Sequence, residues 1–202
     1  MEGSSKVNSR YSLSFTTGGL LERETRLLAP LYLEHHDWMK VRELALEDNL
    51  LQTRTRSTGV RRVRETIKRM TVLSDHELEL LLEVTASERC QLMWAAACRR
   101  FDLIGEFAEE VLRERFLTLA GTVSYADFDS FYRTKALWHD ELGMVTQGSY
   151  TKFRQVLFRM MLEADLVSEH GVIEAPLLSA RVVECLNRRE PSDIRFFPTK
   201  DA

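Results

Sequence analysis

Apolar residues recur at helical spacing along most of a 202-residue chain that contains only 9 Gly and 4 Pro. Long stretches of Leu, Glu, Arg and Ala with so few breakers settle as helices far more readily than as an extensive sheet. The fold class this implies is mostly α and multi-helical. The length fits one large domain or two small ones, and a hydrophobic fraction of 44% is that of an ordinary globular protein. Residues 1–10, polar and Ser-rich, read as a flexible N-terminus. Cys90, Cys98 and Cys185, odd in number and set in apolar helical runs, read as small buried hydrophobes of a reducing compartment. The longest apolar run, Cys90–Cys98, is closed by Arg89 and Arg99 and is too short to span a membrane. With no basic-then-apolar leader pattern either, the expected location is cytoplasmic.

Helices are expected from Leu20 to Glu34, with Pro30 kinking or splitting the run, and from Trp38 to Glu47, capped by Asp37. Asn49 to Arg56 reads as a connector, after which Ser57 or Thr58 opens a third helix ending near Met70. Ser74 with Glu77 makes a capping box before Leu78–Val84, and longer helices follow over Ser87–Phe101 and Leu103–Leu119. Gly121 and Ser124 mark a break, so 11–120 is expected as one helical domain and 121–190 as a second, with 191–202 as a tail. The second part reads as helix Tyr125–Trp138, a connector over Gly143–Gly148, and a helix from Ser149 to Ala164. A short β-hairpin around Glu169-His170-Gly171 and a last helix, Ser179–Arg188, complete it. That order is winged-helix-like, while the basic segment of the first part is helix-turn-helix-like. Trp94, Trp138 and the Phe-rich positions read as core.

Charge is distributed unevenly. Residues 54–69 hold seven basic side chains and one acidic, inside a chain whose formal net charge is -3. On a helix beginning at Ser57, Arg61, Arg64 and Lys68 share one stripe beside the apolar Val60, Val63 and Ile67, and Arg62 with Arg69 forms a second basic row. Ser57 and Thr58 place hydroxyls and free N–H groups at the positive helix end, which attracts phosphate. Arg54 and Arg56, on the connector, are within reach of adjacent phosphates or a minor groove. Arginine's planar fork matches both phosphate oxygens and the guanine edge, so duplex DNA is the expected partner. The connector exceeds the three or four residues usual for a helix-turn-helix. The competing reading is a solvated helix whose arginines pair with carboxylates of the same acidic chain. Locally only Glu65 offers such neutralisation.

A second, weaker patch has Lys152 and Arg154 at the start of the helix that would be the recognition helix of the winged part, with Arg159 further along. Five scattered histidines show no metal-ligand spacing, and neither a phosphate-binding Gly-rich loop nor a hydrolase or metalloprotease motif is present. No catalytic residue, metal or cofactor is expected, and the chain does not read as an enzyme.

The stretches Tyr11-Ser-Leu-Ser-Phe15-Thr-Thr-Gly-Gly19, Asn49-Leu-Leu-Gln52-Thr-Arg54-Thr-Arg56-Ser57, Val111-Leu-Arg-Glu-Arg-Phe116, Arg154-Gln-Val-Leu-Phe158-Arg-Met160 and Leu177-Leu178-Ser179 together resemble the BrxA family. The resemblance runs from about Tyr11 to Leu186. It implies a small helical accessory protein of BREX bacteriophage-exclusion systems. Such a protein binds DNA without catalysis of its own, alongside a DNA methyltransferase, an AAA-type ATPase and other BREX proteins. The family's likeness to NusB-type RNA-binding antitermination factors implies RNA as an alternative ligand, and a pure protein-interaction subunit is the remaining alternative.

Overall fold

The helix that organises the chain is one whose middle has no solvent-facing side. The computed structural model describes residues 10–200; the flexibility expected of residues 1–9 lies outside them. In it α5 (Ala86–Arg100), the fifth α-helix among the described residues, is buried on every side from Gln91 to Cys98. A helix apolar all round has to be enclosed. Ala95, Ala96 and Ala97 keep its surface narrow, so elements from both ends of the chain close on it. Before it in sequence come α1 (Glu22–His35), α3 (Arg56–Met70) and α4 (Asp75–Glu83); after it come α10 (Gln147–Glu163) and α11 (Ala180–Asn187).

Trp94 lies fully buried at the middle of α5, and its indole N–H donates to the Phe196 carbonyl at 2.9 Å. That bond ties the 3-10 turn Asp193–Phe196 to the centre, where Phe196 and Phe197 are also buried. Trp94→Phe removes the donor, and is expected to cost about 1–3 kcal/mol by orphaning a buried carbonyl, read as a lower midpoint in urea.

Local signals set the helix starts. Asp37 caps α2 (Trp38–Glu47) by accepting from the Met39 N–H at 2.7 Å, and the Ser74–Glu77 capping box opens α4. A second box, Thr85 with Glu88, opens α5. The starts of α3 and α10 differ from expectation through their caps. The side chain of Thr55 accepts from the Thr58 N–H, so α3 begins at Arg56 rather than at Ser57 or Thr58, and Arg56 belongs to the helix. Thr146 likewise caps α10, so Gly148 falls inside that helix instead of in a connector. Pro30 neither splits nor ends α1, and it lies on the exposed side of that helix.

The next helical run is continuous but changes pitch: α6 (Asp102–Phe107), a π-helical segment Ala108–Arg113, then α7 (Glu114–Leu117). Phe107 on it meets Phe131 at 5.4 Å and Phe128 at 5.8 Å, both on α8 (Tyr125–Ala136). One apolar cluster therefore contains side chains from both sides of residue 121. After α8 comes the short α9 (Asp140–Gly143). Trp138, between them, is not core: it is 74% exposed.

Strand pairing among the described residues is limited to two isolated antiparallel bridges, Thr122 with Val172 and Val167 with Ile173. The chain reverses between Ser168 and Val172, where the Ser168 N–H donates to the Val172 carbonyl at 2.9 Å. Gly171 takes φ +75° there, and a Cβ on it would stand 2.5 Å from the Val123 carbonyl oxygen, so no other residue fits without displacement.

Candidate functional site

Ahead of α1 the chain runs as an extended strap over residues 11–20, and its attachment shapes the site. The Tyr11 N–H donates to Glu141 at 2.6 Å and its hydroxyl to Glu106 at 2.5 Å. Phe15, 1% exposed, wedges between Phe101 at 5.3 Å and Phe153 at 4.8 Å. At the far end the Leu20 N–H donates to Glu163 at 2.5 Å. Between these anchors Arg69 of α3, fully buried, donates to the carbonyls of Gly19 and Thr17. Burial pulls its guanidinium down to about 10, against the opposing charges of Glu65, Glu163 and Glu24. The second basic row expected of Arg62 and Arg69 is therefore not formed. Arg69 turns inward because the strap's carbonyls need a donor in a place water does not reach.

The strap, α3 and α10 enclose a cleft of about 550 Å³. Ser14, Thr16 and Thr17 line its strap side. Thr58, Arg61, Arg62, Arg64 and Glu65 line it from α3, and Lys152, Val156 and Arg159 from α10. The two basic patches seen separately in sequence thus meet in one concavity. Arg61, Lys152 and Arg159 are exposed and take part in no ion pair among the described residues. Arg62 points to Glu24 of α1 at 2.9 Å. Arg64 Nε and Lys68 Nζ each approach Glu65 Oε1 at 3.3 Å, and Lys68 also donates to Ser14 Oγ at 3.3 Å. Arg154 lies outside the cleft lining. It donates to both oxygens of Asp129, at 2.7 and 2.9 Å, and its guanidinium sits 4.4 Å from the centre of the Tyr125 ring.

Arg54, Arg56 and Ser57 are exposed at the α3 end, and neither arginine is ion-paired among the described residues. The connector leading there is ordered. Asn49, at φ 45°, accepts from the Thr53 N–H at 3.1 Å and donates to its carbonyl at 3.3 Å. Thr53 in turn packs on Gly59, where a Cβ would lie 2.8 Å from Thr53 Oγ1. Only glycine lets the connector lie this close to α3. In sequence Arg159 stands only at the margin of the second patch, and the strap hydroxyls carry no binding signal of their own. The Thr16-Thr17-Gly18-Gly19 run was visible but matched no phosphate loop, and nothing local to Arg159 links it to α3.

Among the described residues no group of three or more His, Cys, Asp or Glu is placed to hold a metal ion. Burial pushes the Cys90 thiol up to about 12 and that of Cys185 to about 11, and raises Cys98 well above its ordinary value, so all three stay protonated near neutral pH. No helix among the described residues is long and apolar enough to cross a membrane.

Fold and site together define a mostly α-helical protein with a cation-lined surface cleft between an N-terminal strap and two helices. The BrxA family model matches residues 9–190, and the chain belongs to the BrxA family. It is 24% identical over 177 residues to the BREX protein BrxA of Bacillus cereus (strain H3081.97), covering 86% of this chain and 88% of that one. Against the BREX protein BrxA of Escherichia coli O9:H4 (strain HS) it is 24% identical over 150 residues, 74% of this chain and 70% of that one. The crystal structure of an uncharacterized protein from Magnetospirillum magneticum superposes with a TM-score of 0.81 at 20% identity, over 95% of this chain and all of that one. At that identity the structural likeness is one of fold.

Proposed function

We propose that this chain is a non-catalytic, cytoplasmic accessory protein of a BREX phage-defence system that binds duplex DNA largely through phosphate contacts. The observation that carries the reading is the meeting of Arg61 with Lys152 and Arg159 in one cleft, from two helices far apart in sequence, with no carboxylate committed to any of the three among the described residues. Cations held ready in this way release the counterions condensed on DNA when they bind it. Arg54, Arg56, Ser57 and Thr58 extend the same surface along the start of α3, at the positive helix end. Arg62, Arg64, Lys68 and Arg154 border that surface, each held by a carboxylate of the chain rather than free for a phosphate. In this reading α2, its ordered connector and α3 act as a helix-turn-helix-like unit. The order α8, α9, α10 and the turn at Gly171 is winged-helix-like, with Lys152 on the recognition helix. Membership of the BrxA family supports other BREX proteins as its partners.

The test is a titration of labelled duplex DNA at several salt concentrations. Arg61→Ala, Lys152→Ala and Arg159→Ala combined are expected to flatten the log–log salt slope by about 2.7, three phosphates at about 0.9 each, and to weaken all sequences alike. An unchanged slope removes the cleft from the interface. Structured RNA that outcompetes duplex DNA of equal length would replace DNA with RNA as the ligand.

A further inference from the structure

The cleft contains an acid at the place where an anion site has least use for one. Glu65 lines it from α3, in the same stretch as Arg61, Arg62 and Arg64, yet is only 2% exposed. Its Oε1 accepts from Arg64 Nε and Lys68 Nζ, while its Oε2, shielded from solvent, accepts nothing among the described residues. Arg64 and Lys68 are 58% and 30% exposed, so reach is not what limits them. Resting on the DNA reading above, we infer that Glu65 sets how many cations the cleft offers. It keeps Arg64 and Lys68 off the phosphates, so that Arg61, Lys152 and Arg159 hold duplex DNA at the cleft without them.

The reason lies in what an exchange would leave behind. A phosphate that drew Arg64 and Lys68 away would strand a buried carboxylate, already short of one partner, without its two donors. Uncovering a buried charge costs more than a solvent-exposed ion pair returns. The charge count of the cleft is therefore lower than its arginine and lysine content, and its grip on DNA is correspondingly weaker and more readily reversed.

Four proteins test this in the same salt titration: wild type, Arg64→Ala/Lys68→Ala, Glu65→Gln, and the three changes combined. The Arg64→Ala/Lys68→Ala protein is expected to keep the wild-type slope, although it has lost two cations at the cleft, one in its lining and one beside it. Glu65→Gln is expected to bind more tightly, with a slope steeper by about 1.8 as two more phosphates are engaged. The combined variant returns to the wild-type slope. A slope flattened by about 1.8 in Arg64→Ala/Lys68→Ala overturns the inference, and so does a folded Glu65→Gln protein no steeper than wild type. Glu65 lies in the field of the buried Arg69 cation, and Arg64→Ala/Lys68→Ala takes both donors from its buried carboxylate, so thermal melts of every variant come first and slopes are read below the lowest melting point. If Glu65→Gln is unfolded at the assay temperature, the Arg64→Ala/Lys68→Ala arm decides alone. If Arg61→Ala/Lys152→Ala/Arg159→Ala keeps the wild-type slope, it is the DNA reading that has failed, whatever Glu65 does.

Discussion

Glu77→Ala is expected to lower the unfolding free energy by about 3–5 kcal/mol, as when one partner is stripped from a buried ion pair, and Tm by roughly 6–20 °C in a chain of this size. Glu77 sits in the first turn of α4 and is 4% exposed. Its Oε1 accepts from Arg99 at 2.6 Å; its Oε2 accepts from Arg189 at 2.7 Å and from the Ser74 N–H at 2.8 Å. Arg99, itself only 11% exposed, also reaches Asp193 at 2.5 Å. One carboxylate thus joins α4, α5 and the C-terminal residues 189–193, and its removal leaves Arg99 a buried cation with half its compensation.

Acid should show the same linkage. Burial by itself would raise the Glu77 carboxyl, but hydrogen bonds and charge from Arg99, the Ser74 N–H and Arg189 prevail and bring it from its ordinary 4.5 down to about 2. A depressed carboxyl contributes stability that is present above its unfolded value and lost as pH falls through the folded one. Wild type is therefore expected to lose this increment between about pH 4.5 and 2. Glu77→Ala should be flatter across that window, in urea melts followed by circular dichroism. Equal acid slopes in the two proteins would show that the network is not what the low pH dismantles.

Arg69→Met is expected to cost about 2–6 kcal/mol, since the carbonyls of Thr17 and Gly19 both lose a donor and each buried orphan costs about 1–3 kcal/mol. The apolar replacement matches the stem of arginine and removes the cost of burying a charge, which holds the loss below that of a simple truncation. The effect should be directional. Residues 14–18 form one wall of the cleft and are held between Phe15 and Arg69. Freed from Arg69, the strap should become a preferred site of limited proteolysis and DNA affinity should fall, although no exposed cation has changed. A stable variant whose strap stays protected would place the anchoring in Tyr11, Phe15 and Leu20 instead.

Caps and periodicity were readable without coordinates because they act within a few residues. Asp37 and the Ser74–Glu77 pair could be named from the chain, and the helical character of α2 through α5 followed from spacing. The start of α3 could not. Thr53, Thr55, Ser57 and Thr58 all carry a hydroxyl that can cap, and the choice of Thr55 belongs to a connector folded back by Asn49 onto Gly59. Trp138 misled for a related reason. Its size predicts burial, but it lies between α8 and α9 where the core does not extend.

By itself the amino-acid order determined that this chain is helical, where most helices begin, and that its cations concentrate in one sixteen-residue stretch and, more weakly, at the start of α10. Only the tertiary structure decided which of those cations are free. Arg61 and Arg69 belong to one helix, yet one faces solvent and the other is spent on the strap's carbonyls; Arg61 and Arg159 are far apart in sequence yet line one cleft. Whether a charge is available depends on what lies within a few ångströms of it, and those neighbours come from segments that helical period and local composition do not relate.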